Sequence, residues 1–158
     1  MIADQEPTPH LRLELISQAR YLCCVREMTM AAMTRIGFDS LESSKIALAV
    51  DEALANIICH GYNRAPSGRI WLSIAPLPGR APDQPAGVRI VIEDEAAQVD
   101  PEGIRGRDLD KVRPGGLGVH IIREVMDSAE YAKRDGKGMR LILEKRLDAP
   151  PAGGRSHE

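Results

Sequence analysis

The segment Val50-Asp-Glu-Ala-Leu-Ala-Asn-Ile-Ile-Cys-His60 sets three polar side chains, Glu52, Asn56 and His60, four residues apart. On a helix that spacing stacks them on one face. At about 100° per residue, the polar stripe lies to one side of an apolar stripe of Ile46, Val50, Leu54 and Ile57, so one helix can face a core and a polar cleft together. From position alone, Glu52 and Asn56 also fit a solvated face. Asn56 argues for a task, because an asparagine in mid-helix competes with its own backbone. A second candidate is Ile92-Glu-Asp94, an acid at the end of an apolar strand, where α/β sheets place ligand contacts. Aspartate after a strand is also an ordinary turn former. The third is Gly115-Gly-Leu-Gly118, which opens into an apolar helix from His120 to Met126. Glycines there let backbone N–H groups approach a phosphate, and the helix N-terminus adds favourable partial charge. An ordinary loop end has the same composition.

These residues need elements to hold them. Residues 10–16 alternate, Leu11, Leu13 and Leu15 against Arg12 and Glu14, as a half-buried strand does. Ser17 is placed to cap a helix reaching about Ile36, with Gly37 ending it in a left-handed conformation. A second helix starts at Asp39 or Ser40, has Glu42 in its first turn and closes at Gly61. Residues 69–75 and 88–93 read as strands joined by a connection rich in proline and glycine. The polar stretch 94–114, broken by Pro101, Gly103, Gly106 and Pro114, is long for a connector and so a candidate functional loop. A helix over 118–126 and strands over 128–133 and 139–146 follow, the strands joined by a turn at Asp135 and Gly136. This order predicts an α/β two-layer sandwich, one mixed β-sheet with helices packed on one face. The domain is expected to span residues 1–147, with 148–158 a disordered tail.

The chain has 158 residues, 43% of them hydrophobic, which suits one domain with a real core. A formal net charge of -2 gives no uniform field toward nucleic acid or an anionic membrane, so neither is expected as a partner. The longest apolar run is interrupted by Asp51, Glu52 and Asn56, and the N-terminus opens with Asp4 and Glu6, so no membrane span or export signal is expected. Cys23, Cys24 and Cys59 suit neither a disulfide framework nor a spaced metal site. They are expected as buried or half-buried small hydrophobes in a reducing cytoplasm. Trp71 is expected half-buried on its strand, and His120 as a packed or hydrogen-bonded side chain.

In order and spacing, the three candidate segments resemble the nucleotide-binding boxes of the histidine-kinase-like (GHKL) ATPase superfamily, and most closely its anti-sigma factor serine kinases. The similarity covers residues 11–147. Glu52-Ala-Leu-Ala-Asn56-Ile-Ile-Cys-His60-Gly-Tyr62 resembles the N-box, residues 94–101 the first glycine box, and Gly115-Gly-Leu-Gly-Val-His-Ile-Ile122 the second. The His-Gly-Tyr ending and the Gly-Gly-Leu-Gly start favour the anti-sigma branch. The resemblance implies a histidine-kinase-like ATPase (Bergerat) fold that uses ATP and Mg²⁺. It makes Asn56 the metal ligand and Glu52 the general base for an acceptor serine hydroxyl. Asp94 would accept a hydrogen bond from the adenine amino group, beside Ala96. Gly115, Gly116, Leu117 and Gly118 would wrap the phosphates, under a lid over 100–114. Among the lid arginines Arg105, Arg107 and Arg113, the last is expected to meet the γ-phosphate.

One departure stands out, because the family has glycine two residues after its aspartate and this chain has Ala96. Either the added methyl weakens binding near the adenine, or the backbone there needs no positive φ and alanine costs little. The function implied is a cytoplasmic serine/threonine protein kinase that phosphorylates an anti-sigma factor antagonist and acts as an anti-sigma factor on a sigma factor or other regulated protein, as a homodimer. The alternative, motivated by Ala96, is a non-catalytic ATP-gated module that sequesters a protein partner. A histidine autokinase would need a long dimerising helix ahead of the fold, for which about ten residues leave no room.

Overall fold

The computed structural model of the chain describes residues 6–81, 83–105 and 117–148. Strand β1 (Leu11–Ile16) leads through a short 3₁₀ turn, Ala19–Tyr21, into α1 (Leu22–Ile36) and α2 (Ser40–Asn56). A π turn, Ile57–Gly61, extends α2 before β2 (Arg69–Leu77) and β3 (Gly87–Asp94). Short α3 (Pro101–Arg105) and then α4 (Leu117–Val125) precede β4 (Ser128–Lys133) and β5 (Met139–Arg146).

The helix boundaries follow the capping chemistry. Asp39 is the N-cap of α2 and its carboxylate accepts the Glu42 N–H at 2.8 Å. Gly37 ends α1 at φ 124°, where a side chain would be strained. Ser17 does not cap α1. Its hydroxyl donates instead to the Ala65 carbonyl and accepts the Gly68 N–H at 2.8 Å, binding the end of β1 to the approach to β2.

The five strands lie in the order β1-β2-β3-β5-β4, and every pairing among the described residues is antiparallel. The expected two-layer sandwich is present, but its sheet is antiparallel and not mixed. The reason is topological. The helical crossover from β3 to β4 gives those two strands the same direction, and the tight β4–β5 hairpin then inserts β5 between them, so no parallel ladder forms.

Alternation assigns the two faces. Ile70, Leu72 and Ile74 on β2, Val88, Ile90 and Ile92 on β3, and Leu141 and Leu143 on β5 are buried in one core with Met33 of α1, Ile46, Val50 and Leu54 of α2, and Ile122 of α4. Each such fully buried aliphatic side chain contributes about 1.5–3 kcal/mol. The opposite face is polar: Arg69 pairs with Glu14 at 2.8 Å, Arg89 with Glu144 at 2.6 Å and Arg134 with Glu93 at 3.4 Å. Trp71, half-buried as expected, has the Arg69 and Arg134 guanidiniums 4.9 and 5.1 Å from its ring centre.

The cysteines depart from expectation. Cys23 and Cys24 are exposed and only Cys59 is half-buried. On α1 the core-facing positions are Val25, Thr29, Ala32 and Met33, which turns the two cysteines outward. Among the described residues no helix is long and apolar enough to cross a membrane.

Candidate active site

Glu52 and Asn56 project from α2 beside its core stripe, and both are half-buried. The N-terminal end of α4 lies directly on them. A Cβ built on Gly118 would stand 2.7 Å from Glu52 Oε2, 3.3 Å from Asn56 Nδ2 and 3.6 Å from Asn56 Oδ1. Only a residue without a side chain lets the backbone of α4 come so close to the two polar groups. Gly118, far from Glu52 and Asn56 in sequence, therefore forms one surface with them. Leu117 at the start of α4 is 69% exposed, its side chain turned to solvent while its backbone opens the helix.

His60 leaves the stripe. The helix changes to π geometry right after Asn56, so the four-residue register is lost, and His60 is exposed.

Asp94 continues the alternation of Val88, Ile90 and Ile92, so its carboxylate faces the helix layer and is buried to 4% exposure. Oδ1 accepts two backbone N–H groups, from Ala96 at 2.8 Å and Met139 at 3.2 Å. Among the described residues no hydrogen bond reaches Oδ2. Burial pushes the Asp94 pKa up, against the opposing pull of the two backbone donors and the Arg134 guanidinium.

Ala96 is buried, and it is absent from the residues with positive φ, which among described non-glycine residues are Asn63 and Arg64 alone. The backbone at Ala96 thus needs no glycine. A Cβ on Gly61 would lie 3.1 Å from the Ala96 methyl, so the methyl is directed at the end of α2 and is accommodated by the glycine opposite it.

Four further residues hold the Asp94 turn, and of these only Tyr62, in the His-Gly-Tyr ending, stands out in the sequence. Arg134 Nη1 donates to the Asp94 carbonyl at 2.6 Å. Gln98 Nε2 donates to the Arg134 carbonyl at 2.6 Å. Tyr62 Oη accepts the Glu95 N–H at 2.8 Å. Gly138, at φ 85°, packs so closely that a Cβ would stand 1.8 Å from the Asp94 carbonyl oxygen. Gly138 belongs to the β4–β5 hairpin itself, its carbonyl accepting the Arg134 N–H at 3.1 Å, and its φ of 85° favours glycine there.

The long loop after β3 contains α3, tied to α4 by Arg123 Nη2 donating to the Ile104 carbonyl at 3.3 Å. Arg107, Arg113, Gly115 and Gly116 lie outside the described residues, as does the side chain of Arg105.

The family described as Histidine kinase-like ATPase domain matches residues 16–145. The chain is 28% identical over 149 residues to the Serine-protein kinase RsbW of Staphylococcus epidermidis, covering 87% of this chain and 88% of that protein. It is 26% identical over 140 residues to the Anti-sigma F factor of Geobacillus sp. (strain WCH70), covering 86% and 90%. Among solved structures, the RsbU and RsbW domains of Rv1364c from Mycobacterium tuberculosis align with TM-score 0.59 and 20% identity over 90% of this chain and 34% of that one. The histidine kinase domain from Erythrobacter litoralis EL346 aligns with TM-score 0.53 and 18% identity over 82% of this chain and 60% of that one. These two likenesses bear on the fold alone.

Proposed function

The chain belongs to the histidine kinase-like ATPase domain family, and from that premise we propose that it is an ATP-dependent serine/threonine protein kinase acting on an anti-sigma factor antagonist. In its other state it binds a sigma factor and holds it from RNA polymerase. The observation that carries this reading is the seating of Gly118 on Glu52 and Asn56, which places a carboxylate and a carboxamide against a glycine-bearing helix start. The relatives named as a serine-protein kinase and an anti-sigma F factor, both matched over most of their length, support the two roles.

Asp94 Oδ2 receives the adenine amino group, a polar contact in a buried setting that favours ATP over GTP. Along α2 the distance from Gly61, beside the Asp94 turn, to Glu52 is roughly 13 Å at helical rise, on the scale of a nucleoside triphosphate. The α4 start, with Leu117 and Gly118, faces the phosphates, and the roles of Gly115 and Gly116 on the phosphates and of Arg113 on the γ-phosphate belong to the same proposal. The fit for Mg²⁺ rests on donor chemistry: Asn56 presents one carboxamide beside Glu52, and Mg²⁺ is commonly held by few protein oxygens plus substrate phosphates. Bound there, the ion would offset phosphate charge, with Asn56 Oδ1 as its protein ligand.

Glu52 then acts on the acceptor. As the serine Oγ attacks the γ-phosphorus, its proton passes to the Glu52 carboxylate, and the bond from the γ-phosphorus to the β–γ bridging oxygen breaks to release ADP. Such a partner set belongs in the cytoplasm, and the homodimer is part of the same proposal. A non-catalytic ATP-gated module loses its motive, because Ala96 is accommodated without positive φ.

The test is incubation with Mg-ATP and a candidate antagonist. Transfer that Glu52→Gln abolishes while ATP binding persists supports the kinase; tight ATP binding with no transfer by the wild-type protein sinks it.

A further inference from the structure

Tyr62 closes the His-Gly-Tyr end of the extended α2, and its hydroxyl reaches the start of one strand and the turn just past the end of another. Oη donates to the Arg69 carbonyl at 2.6 Å, at the start of β2, and accepts the Glu95 N–H at 2.8 Å, one residue beyond Asp94. Three local features seat this side chain. The π turn returns the Tyr62 N–H to the Ile57 carbonyl at 2.9 Å, which swings the ring off the α2 line. Gly68 lies under the ring, where a Cβ would stand 2.5 Å from Cδ1, Cε1 and Cζ. Asn63 and Arg64, the next two residues, hold φ of 49° and 63°, left-handed conformations that cost a residue with a side chain and persist where the surroundings fix them. Burial raises the Tyr62 pKa, so the hydroxyl keeps the proton it gives to Arg69.

We infer that Tyr62 is a positioning residue for the nucleotide, locking the Asp94–Ala96 turn in register with α2. The inference rests on the nucleotide reading above. The hydroxyl holds the turn that carries the base contact, whereas Glu52 and Asn56 lie further up α2 against Gly118. Its loss therefore acts on base recognition and not on the transfer step.

Tyr62→Phe keeps the ring on Gly68 and removes only the two hydrogen bonds. Calorimetry of the full chain with Mg-ATP and Mg-GTP is expected to show ATP affinity reduced about tenfold, with a narrower preference for ATP. Turnover at saturating ATP should stay within about twofold, since the proton acceptor is untouched. Asp39→Ala, which removes the cap at the far end of α2, controls for simple loss of stability: it should lower the melting temperature without moving the ATP-to-GTP ratio. Wild-type affinity and preference in Tyr62→Phe, or a loss of turnover as large as the loss of binding, overturns the inference alone. Failure of the wild-type protein to bind ATP overturns the nucleotide reading and this inference with it. Amide exchange of the wild-type protein needs no variant: Glu95 N–H should be protected, and exchange as fast as an unbonded loop amide overturns the role of Tyr62.

Discussion

Replacing Gly118 by alanine should separate stability from catalysis. The new Cβ would stand 2.7 Å from Glu52 Oε2, against an ordinary carbon-to-oxygen approach of about 3.3–3.6 Å, so the carboxylate must retreat by roughly 0.6 Å or more. It is the far end of a flexible, half-buried side chain, and the displacement strains little backbone. Alanine also favours the helix by up to about 1 kcal/mol over glycine. Asn56 Nδ2, at 3.3 Å from the same Cβ, has to give far less. The expected outcome is a melting temperature near wild type, ATP affinity lowered because Gly118 also faces the phosphates, and phosphotransfer to the antagonist at saturating ATP reduced about a hundredfold, the scale on which a misplaced general base loses its effect. Thermal melts, nucleotide titration and single-turnover transfer measure the three quantities. Undiminished transfer by a folded Gly118→Ala protein would refute the placement of Glu52 at the reacting hydroxyl.

Two further substitutions probe the base end. Burial raises the Asp94 pKa, so the fold favours its neutral form: the stability this gives is present below the ordinary carboxylate range and lost as pH rises through the raised pKa. Asp94→Asn keeps an oxygen for the Ala96 and Met139 N–H groups, so melting at neutral pH should rise and its pH slope flatten, while ATP affinity falls about ten- to hundredfold through the lost acceptor. Calorimetric scans across pH check the first part; a lower melting temperature at neutral pH would contradict it. Gly138→Ala places a methyl 1.8 Å from the Asp94 carbonyl oxygen at φ 85° and should cost at least about 1–3 kcal/mol in denaturant titration, with weaker ATP binding; an unchanged midpoint would show that the β4–β5 hairpin does not brace the turn.

Much of the fold was legible because local chemistry decides it. The stripe of Ile46, Val50 and Leu54, the Asp39 cap, Gly37 at positive φ and the strands at 128–133 and 139–146 depend on near neighbours, and all appear where the residues place them. Ser17 shows where that reasoning stops. A serine between strand and helix can cap the helix or bond elsewhere, and its partners Ala65 and Gly68 lie 48 and 51 residues away. The antiparallel sheet was hidden likewise, because strand spacing does not say that β5 enters between β3 and β4. At the site, the alternation ending in Asp94 and the pairing of Glu52 with Asn56 were readable. The π turn that removes His60 from their stripe, and the Tyr62 and Arg134 bonds to the Asp94 turn, arise from tertiary packing that no local pattern records.

Titrating the full chain with Mg-ATP in a calorimeter asks most directly whether one face of α2, the end of β3 and the start of α4 form a nucleotide site. Saturable binding of one nucleotide per chain, weakened by Asn56→Ala and by Asp94→Asn but retained in Glu52→Gln, is the predicted result. No heat and no saturation at millimolar ligand would contradict it.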